Sequence, residues 1–298
     1  MIRPRRITTD GALDEARKLE ALPPHPNVLE VHDAGPWGAS QVFIAIDICP
    51  NGSLEGVGLD SASACRYVSL ACRGLAHLHQ HGLLHLDIRP ANILLSRDDV
   101  PLLADFGLAK WAHDAGVDEW YGPHAAPELV EFEAATVATD IYAMGMTLAH
   151  LLTAGAICRP FPVSAELVEA SANHEWPRLE ELGINVPKRL RDVIDRATDY
   201  DPSRRQSSAD DFKRDVDRAT PAISLCLNSD ATLSTADGSW TIDVTEGGNG
   251  WDVTTRRNNR RVAPQCSTEK SREGANRKVR KVVRFLAEHA DQPPKRRR

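Results

Sequence analysis

The feature that most constrains this chain is the run His85-Leu86-Asp87-Ile88-Arg89-Pro90-Ala91-Asn92-Ile93-Leu94-Leu95, followed after a short gap by Asp105-Phe106-Gly107. From His81 to Lys110 short apolar runs are interleaved with turn residues, a texture that requires short strands joined by tight loops and excludes a helix. Carboxylates, an amide and a guanidinium stand in those loops. Asn92 and Asp105 offer hard oxygen ligands of the kind magnesium takes. Read singly, Asp105-Phe106-Gly107 is as consistent with an ordinary turn as with a ligand loop; the segment in front of it weighs against the ordinary turn.

The 298 residues, 42% hydrophobic and 26% charged, suffice for one large or two ordinary globular domains. There is no apolar run of about 18 residues, and the opening MIRPRRITTD lacks the apolar stretch of a secretory signal. The expectation is a cytoplasmic protein without a membrane anchor. Cys49, Cys65, Cys72, Cys158, Cys226 and Cys266 are scattered, with no Cys-x-x-Cys and no Cys/His pairing at zinc-like spacing, and read as reduced thiols. The net charge of -6 conceals two regions of opposite sign. Residues 1–220 hold 21 Lys+Arg against 33 Asp+Glu, whereas 221–298 hold 15 against 9, which suggests two modules.

Asp10 is a suitable N-cap for a helix through Leu22 that Pro23-Pro24 ends. Val28–Val31 and Gln41–Ile46, separated by Gly35-Pro36-Trp37-Gly38, read as neighbouring strands. Apolar residues at helical spacing predict helices over Ser63–Gln80, Asp140–Thr153, Pro187–Tyr200 and Ala209–Thr220. Beyond residue 220, Ser239–Thr245 and Trp251–Arg257 alternate around Gly247-Gly248-Asn249-Gly250, the pattern of a β-hairpin across which Trp240 and Trp251 are expected to face each other. A last helix is predicted over Glu269–Ala290, then a basic tail, Pro293–Arg298.

The segment from His85 to Leu95 with Asp105-Phe106-Gly107 resembles the catalytic loop and metal loop of the protein kinase family, whose pattern is H-R-D-L-x-x-x-N followed by D-F-G. Further landmarks fall in kinase order. Ala126-Pro127-Glu128 resembles the end of the activation segment, Asp140-Ile141-Tyr142-Ala143-Met144-Gly145 the start of the central helix of the larger lobe, and Asp201-Pro202-Ser203-Arg204-Arg205 completes the set. The resemblance implies a buried ion pair between Arg205 and Glu128. It also implies that Asp87 accepts the proton of the acceptor hydroxyl, Arg89 neutralises charge on the moving phosphoryl group, and Asn92 with Asp105 holds Mg2+. Two departures stand out. Leu86 replaces the usual Arg after the loop His, which argues against control by activation-loop phosphorylation. Arg89 replaces the usual Lys, so a planar fork stands where a compact ammonium is common.

Ile44 to Leu54 resembles the strand and hinge between the two kinase lobes. The resemblance assigns nucleotide binding to Asp47 and Cys49 through their backbone, to Leu94, and to Glu15 as the helix Glu that pairs with a strand Lys. Ile46 would be the gatekeeper, and His85, Phe106 and Leu19 would stack as a column linking the lobes. Nothing before Glu15 matches the glycine loop or the V-A-I-K lysine, and the reading frame is expected to extend upstream of Met1.

The expected fold is α+β: a protein kinase-like fold with a truncated N-terminal lobe (1–50) and a mainly helical C-terminal lobe (51–220), plus a small basic β-β-α module with a frayed tail (221–298). The expected function is ATP- and Mg2+-dependent phosphate transfer to Ser or Thr of a protein substrate, with a polyanion or acidic protein as partner of the basic module. The alternative is a truncated pseudokinase acting as a scaffold or binding module. A small-molecule kinase is third, disfavoured by the complete run of landmarks from Ala126 to Arg205.

Overall fold

The structure is a computed structural model and describes residues 18 and 20–289, apart from 38–40, 115, 117–121, 132, 159–165, 167–168, 171–172, 174, 178, 180–181, 184–185, 222–224, 228–231 and 236. Most of the helix predicted up to Leu22 lies outside the described residues; Lys18 and Glu20 are helical. Strand β1 (Val31–Trp37) runs antiparallel to β2 (Gln41–Ile46), from Val31 opposite Ile46 to Trp37 opposite Gln41. The first strand therefore starts where the sequence reading ended it, and Gly35-Pro36-Trp37 is strand, not turn. A two-stranded sheet has only edge strands, where proline is tolerated. The run at Val28 has a different partner: Val28 forms a parallel bridge to Leu103, and the Leu29 N–H donates to the Leu103 carbonyl at 2.8 Å. An apolar run marks burial but not which segment covers it.

The larger part is helical. Helix α1 (Ser61–Gln80) begins at Asp60, whose carboxylate accepts the N–H groups of Ala62 and Ser63. It buries Val68, Cys72, Leu75 and Leu78, and at Gly74 a Cβ would stand 2.3 Å from the Asn27 carbonyl oxygen, so only glycine lets that backbone approach. Two short antiparallel pairs follow, one nested in the other: β3 (Leu83–Leu84) pairs with β6 (Lys110–Trp111), and β4 (Ile93–Leu95) with β5 (Pro101–Leu103). After the four-residue helix α2 (Pro127–Val130) comes α3 (Val137–Thr153), started by a reciprocal Thr136–Thr139 capping box. Every residue of α3 from Thr139 to Leu152 is buried, which makes it the axis around which the rest packs. Helices α4 (Lys188–Ala197) and α5 (Ala209–Ala219) carry narrow apolar stripes, Leu190–Ile194–Ala197 and Phe212–Val216–Ala219, and close the bundle.

Strands β7 (Leu225–Leu227), β8 (Leu233–Thr235), β9 (Trp240–Gly247), β10 (Gly250–Arg257), β11 (Arg260–Arg261) and β12 (Ser267–Glu269) form one sheet, in the order β11-β10-β9-β8-β7 with β12 beside β10. Helix α6 (Arg272–His289) lays Ala275, Val279, Val282 and Leu286 into a separate core with Trp240, Ile242 and Val253. The predicted hairpin is present, but it is the centre of a six-stranded sheet. The two tryptophans do not face each other. With Gly247 opposite Gly250, Trp240 pairs with Arg257 and Trp251 with Glu246, at opposite ends of the hairpin. Trp240 meets Phe285 of α6 edge-on, and the Arg272 guanidinium lies over Trp251.

One ion pair ties the larger core together. Arg205, whose side chain is fully buried, donates from its two terminal nitrogens to Glu128 at 2.8 and 3.0 Å and to the carbonyls of Ala138 and Tyr200, and from Nε to the Asp199 carbonyl. Its guanidinium also lies over the Tyr142 ring, and Thr139 donates to the same carboxylate at 2.9 Å. Removing one partner leaves a buried charge uncompensated. Arg205→Ala is accordingly expected to lower the unfolding free energy by about 3–5 kcal/mol in urea titrations; a loss below about 1 kcal/mol, the value of an exposed pair, would contradict this.

Candidate functional site

The site is built on Asp140 in the first turn of α3. Its carboxylate accepts the backbone N–H of His85 at 2.9 Å, that of Leu86 at 2.8 Å, and the His79 ring Nε2 at 2.8 Å. These bonds hold Leu86 at a φ of 63°, a left-handed conformation that costs a leucine roughly 1–2 kcal/mol. The carboxyl is fully buried, and burial opposes its ionisation. The hydrogen bond and charge of His79, with His85 beside it, nevertheless hold it below the usual carboxylate range.

The left-handed turn at Leu86 sends the chain through Asp87. The Asp87 N–H donates to His85 Nδ1 at 3.3 Å, and Asn92 Nδ2 donates to both the Asp87 carbonyl and its Oδ2, each at 2.8 Å. Asp87 and Asn92 are buried, and Arg89 Nε lies 3.4 Å from Asp87 Oδ1, an ion-pair distance. With its nitrogen committed to Asp87, the Asn92 amide keeps its oxygen out of those bonds. The chain then enters β4, and the Ala104 N–H just beyond β5 returns to the Asn92 carbonyl at 2.9 Å. Asp105 follows at a φ of 61°, with its carboxylate accepting the Gly107 N–H at 3.3 Å. Phe106 is fully buried against the His85 ring, centroids 4.8 Å apart. Leu19, the expected third member of that stack, lies outside the described residues. Its neighbour Lys18 donates to the Ala109 carbonyl at 2.8 Å, next to the Asp105 loop.

On the other side of β4 the chain from Cys49 to Leu54 runs alongside it. The Gly52 carbonyl accepts from Leu95 N–H at 2.8 Å, and the Leu54 N–H donates to Ile93 at 3.0 Å. Cys49 and Leu94 pack into one small apolar cluster with Leu29, Leu102 and Ala104. The Asp47 carboxylate turns to His32, 2.7 Å away, and that hydrogen bond raises the histidine's pKa. Ile46 is 44% and Ile48 87% exposed. Glu15 lies outside the described residues. Of the residues singled out from sequence, Asp87, Arg89 and Asn92 are thus brought into direct contact, Asp105 is joined to them through the Asn92 backbone, and Cys49 and Leu94 pack against the same apolar cluster.

The sequence reading missed His79 and the role of Asp140 as the anchor of the loop; the signal was an aspartate at the start of an otherwise apolar helix. It also missed His124, which lines a small cleft with Asp87 and Leu86. Burial, with the neighbouring His150 and Arg89, pushes the His124 pKa down to about 3. Among the described residues no helix is long and apolar enough to cross a membrane.

The protein kinase domain model matches residues 3–215, so the chain belongs to the protein kinase family. It is similar to the serine/threonine-protein kinase PknJ of Mycobacterium tuberculosis, 30% identical over 205 residues, which is 63% of this chain and 34% of that protein. The probable serine/threonine-protein kinase PknB of Lactococcus lactis is 28% identical over 208 residues, 66% of this chain and 32% of that protein. The chain thus matches about a third of the length of these relatives.

Asp140 gives a pH test. Its folded-state pKa is depressed, so the stability it contributes is fully present above the unfolded value of about 4 and is lost as pH falls through the folded value. Asp140→Ala is expected to cost at least ~2 kcal/mol in urea unfolding at pH 7, since buried N–H groups lose their acceptor. The gap to the unsubstituted protein is expected to narrow in acid below pH ~4. A gap that stays constant or widens there would contradict the assignment.

Proposed function

We propose that this chain is a protein kinase that transfers the γ-phosphate of ATP to Ser or Thr of a protein substrate, with Mg2+ as cofactor. The observation that carries the reading is the Asn92 amide bonded twice to Asp87 while the Asn92 carbonyl holds the strand end that leads into Asp105. This arrangement keeps a general base and two oxygen donors on one rigid frame. The donor set fits magnesium, which takes one or two carboxylates together with waters and phosphate oxygens. Asn92 through its amide oxygen and Asp105 through its carboxylate would hold the ion.

When bound, Mg-ATP supplies the phosphoryl group and the charge neutralisation that it needs. The chain supplies the rest. Asp87 accepts the proton of the substrate hydroxyl and orients that oxygen, and Arg89 beside it offsets negative charge on the phosphoryl oxygens. The backbone of Asp47 and Cys49 receives the adenine edge, with Leu94 against the base. The Cys49–Leu94 cluster and the exposed Ile46 and Ile48 support that placement by offering apolar surface at the hinge. Glu15 is read as the partner of a phosphate-binding lysine. The protein works in the cytoplasm on this reading.

Three units are read along the chain, a partial smaller lobe over 1–50, a larger lobe over 51–220 and a basic module over 221–298. The separate cores of the larger lobe and of the sheet with α6 support the division at 220. We read the module as the docking site of a polyanion or an acidic protein, since Arg272, Arg277, Arg280, Lys281 and Arg284 are exposed along α6.

Labelled-ATP transfer to a generic protein substrate tests the reading. Asp87→Asn is expected to lower the rate by about 10²–10⁴, the worth of a positioned base, while leaving nucleotide affinity nearly unchanged. Asp105→Asn is expected to abolish Mg2+-dependent nucleotide binding. Equal rates in the unsubstituted protein and the Asp87→Asn variant would overturn the proposal.

A further inference from the structure

Three donor side chains meet in the core of the larger lobe, apart from the residues assigned to phosphate transfer. His124 ends the turn Gly122–His124 just before α2, His150 lies near the end of α3, and Cys158 ends the turn Ala156–Cys158. In sequence they are 26 and 8 residues apart, a spacing that suggests no metal. The fold brings them together through the end of α3. Ala154 takes a left-handed φ of 48° and Gly155 one of 82°, which reverses the chain and returns Cys158 to His150. Gly155 also makes room for the ring, since a Cβ there would stand 3.0 Å from His150 Nε2.

All three residues are buried, and one ligand atom of each lies within 4.8 Å of the other two. His124 Nε2 is 3.2 Å from His150 Nδ1, and Cys158 Sγ is 3.8 Å from the same nitrogen. Zinc bonds of about 2.0–2.1 Å to nitrogen and 2.3 Å to sulfur give tetrahedral edges of about 3.3 Å between nitrogens and 3.6 Å between nitrogen and sulfur. The 3.2 and 3.8 Å edges match those lengths within a few tenths of an ångström. The near-parallel rings, 20° apart, now have facing nitrogens.

We propose that His124, His150 and Cys158 bind a borderline-soft divalent cation, with zinc the best fit to the donor set, and leave a fourth position for a further ligand or solvent. Binding takes the thiol as thiolate and releases its proton to solvent, with no change of oxidation state. One thiolate and two neutral imidazoles leave the site with a net charge of +1. The site joins the segment before α2 to α3 and the turn behind it. Because His124 also lines the cleft beside Asp87, an ion here would fix one wall of the proposed phosphate-transfer site. The inference does not depend on the kinase reading, and its test reads metal binding without any activity.

The test uses the full chain without a histidine tag, stripped of metal and titrated with Co2+ as a spectroscopic probe. One equivalent is expected to give tetrahedral visible bands and a thiolate-to-cobalt charge-transfer band, both removed by Zn2+ in competition. Cys158→Ser is expected to lose the charge-transfer band, and His124→Asn to weaken binding at least about tenfold. A band undiminished in Cys158→Ser would place the metal on another cysteine and overturn the proposal. X-ray absorption at the zinc edge of the unsubstituted protein decides the matter even if the variants misfold. One sulfur at about 2.3 Å with nitrogen at about 2.0 Å supports the site, and no saturable binding, or a shell without sulfur, overturns it.

Discussion

Asp140 places a carboxylate where no water reaches it, and three donors from two other segments converge there. The charge is tolerable only because both carboxylate oxygens are met by donors, which requires one conformation of the chain at His85 and Leu86. That conformation is a left-handed leucine, which costs energy that the charged hydrogen bonds offset. Since Asp140 belongs to a helix buried along nearly its whole length, the rigidity of the core passes directly to the loop carrying Asp87. A loop on the surface would otherwise be among the most mobile parts of such a domain.

The same device recurs at the other end of the site. Arg205 and Glu128 share a buried bidentate contact, with Thr139 and three backbone carbonyls absorbing the remaining hydrogen-bonding capacity. The pair fixes α2, and with it the start of the segment that faces Asp87 across the cleft lined by His124. Both anchors are ionic and both act at the first turn of α3, one through Asp140 and one through Thr139 and Ala138. Buried ion pairs seldom add net stability compared with apolar packing. Here they specify geometry: where the loop carrying Asp87 sits and where the opposite wall stands.

The order of polar landmarks was legible in sequence because Asp, Asn and Arg stand there at short, fixed separations. Asp87 and Asn92 are five residues apart and their direct bond follows from that closeness. The first strand was less legible. The apolar run at Val28 reads as strand from either side, and its true partner, Leu103, lies far along the chain. The tryptophans of the hairpin were misread because the turn at Gly248-Asn249 fixes a register that composition does not reveal. His124, His150 and Cys158 were invisible for a different reason. Their meeting depends on a reversed helix end and a segment that returns from a distance, neither of which leaves a spacing pattern.

The central claim is that Asn92 and Asp105, held by the Asp87 loop, grip one nucleotide-bound metal ion. The most direct measurement is a crystal structure of the full chain with Mn2+ and a non-hydrolysable ATP analogue, using the anomalous signal to locate the ion. The account predicts a peak at about 2.0–2.2 Å from an oxygen of each residue, with the terminal phosphate facing Asp87. A peak elsewhere on the chain, or a nucleotide bound with neither residue near its metal, would contradict it.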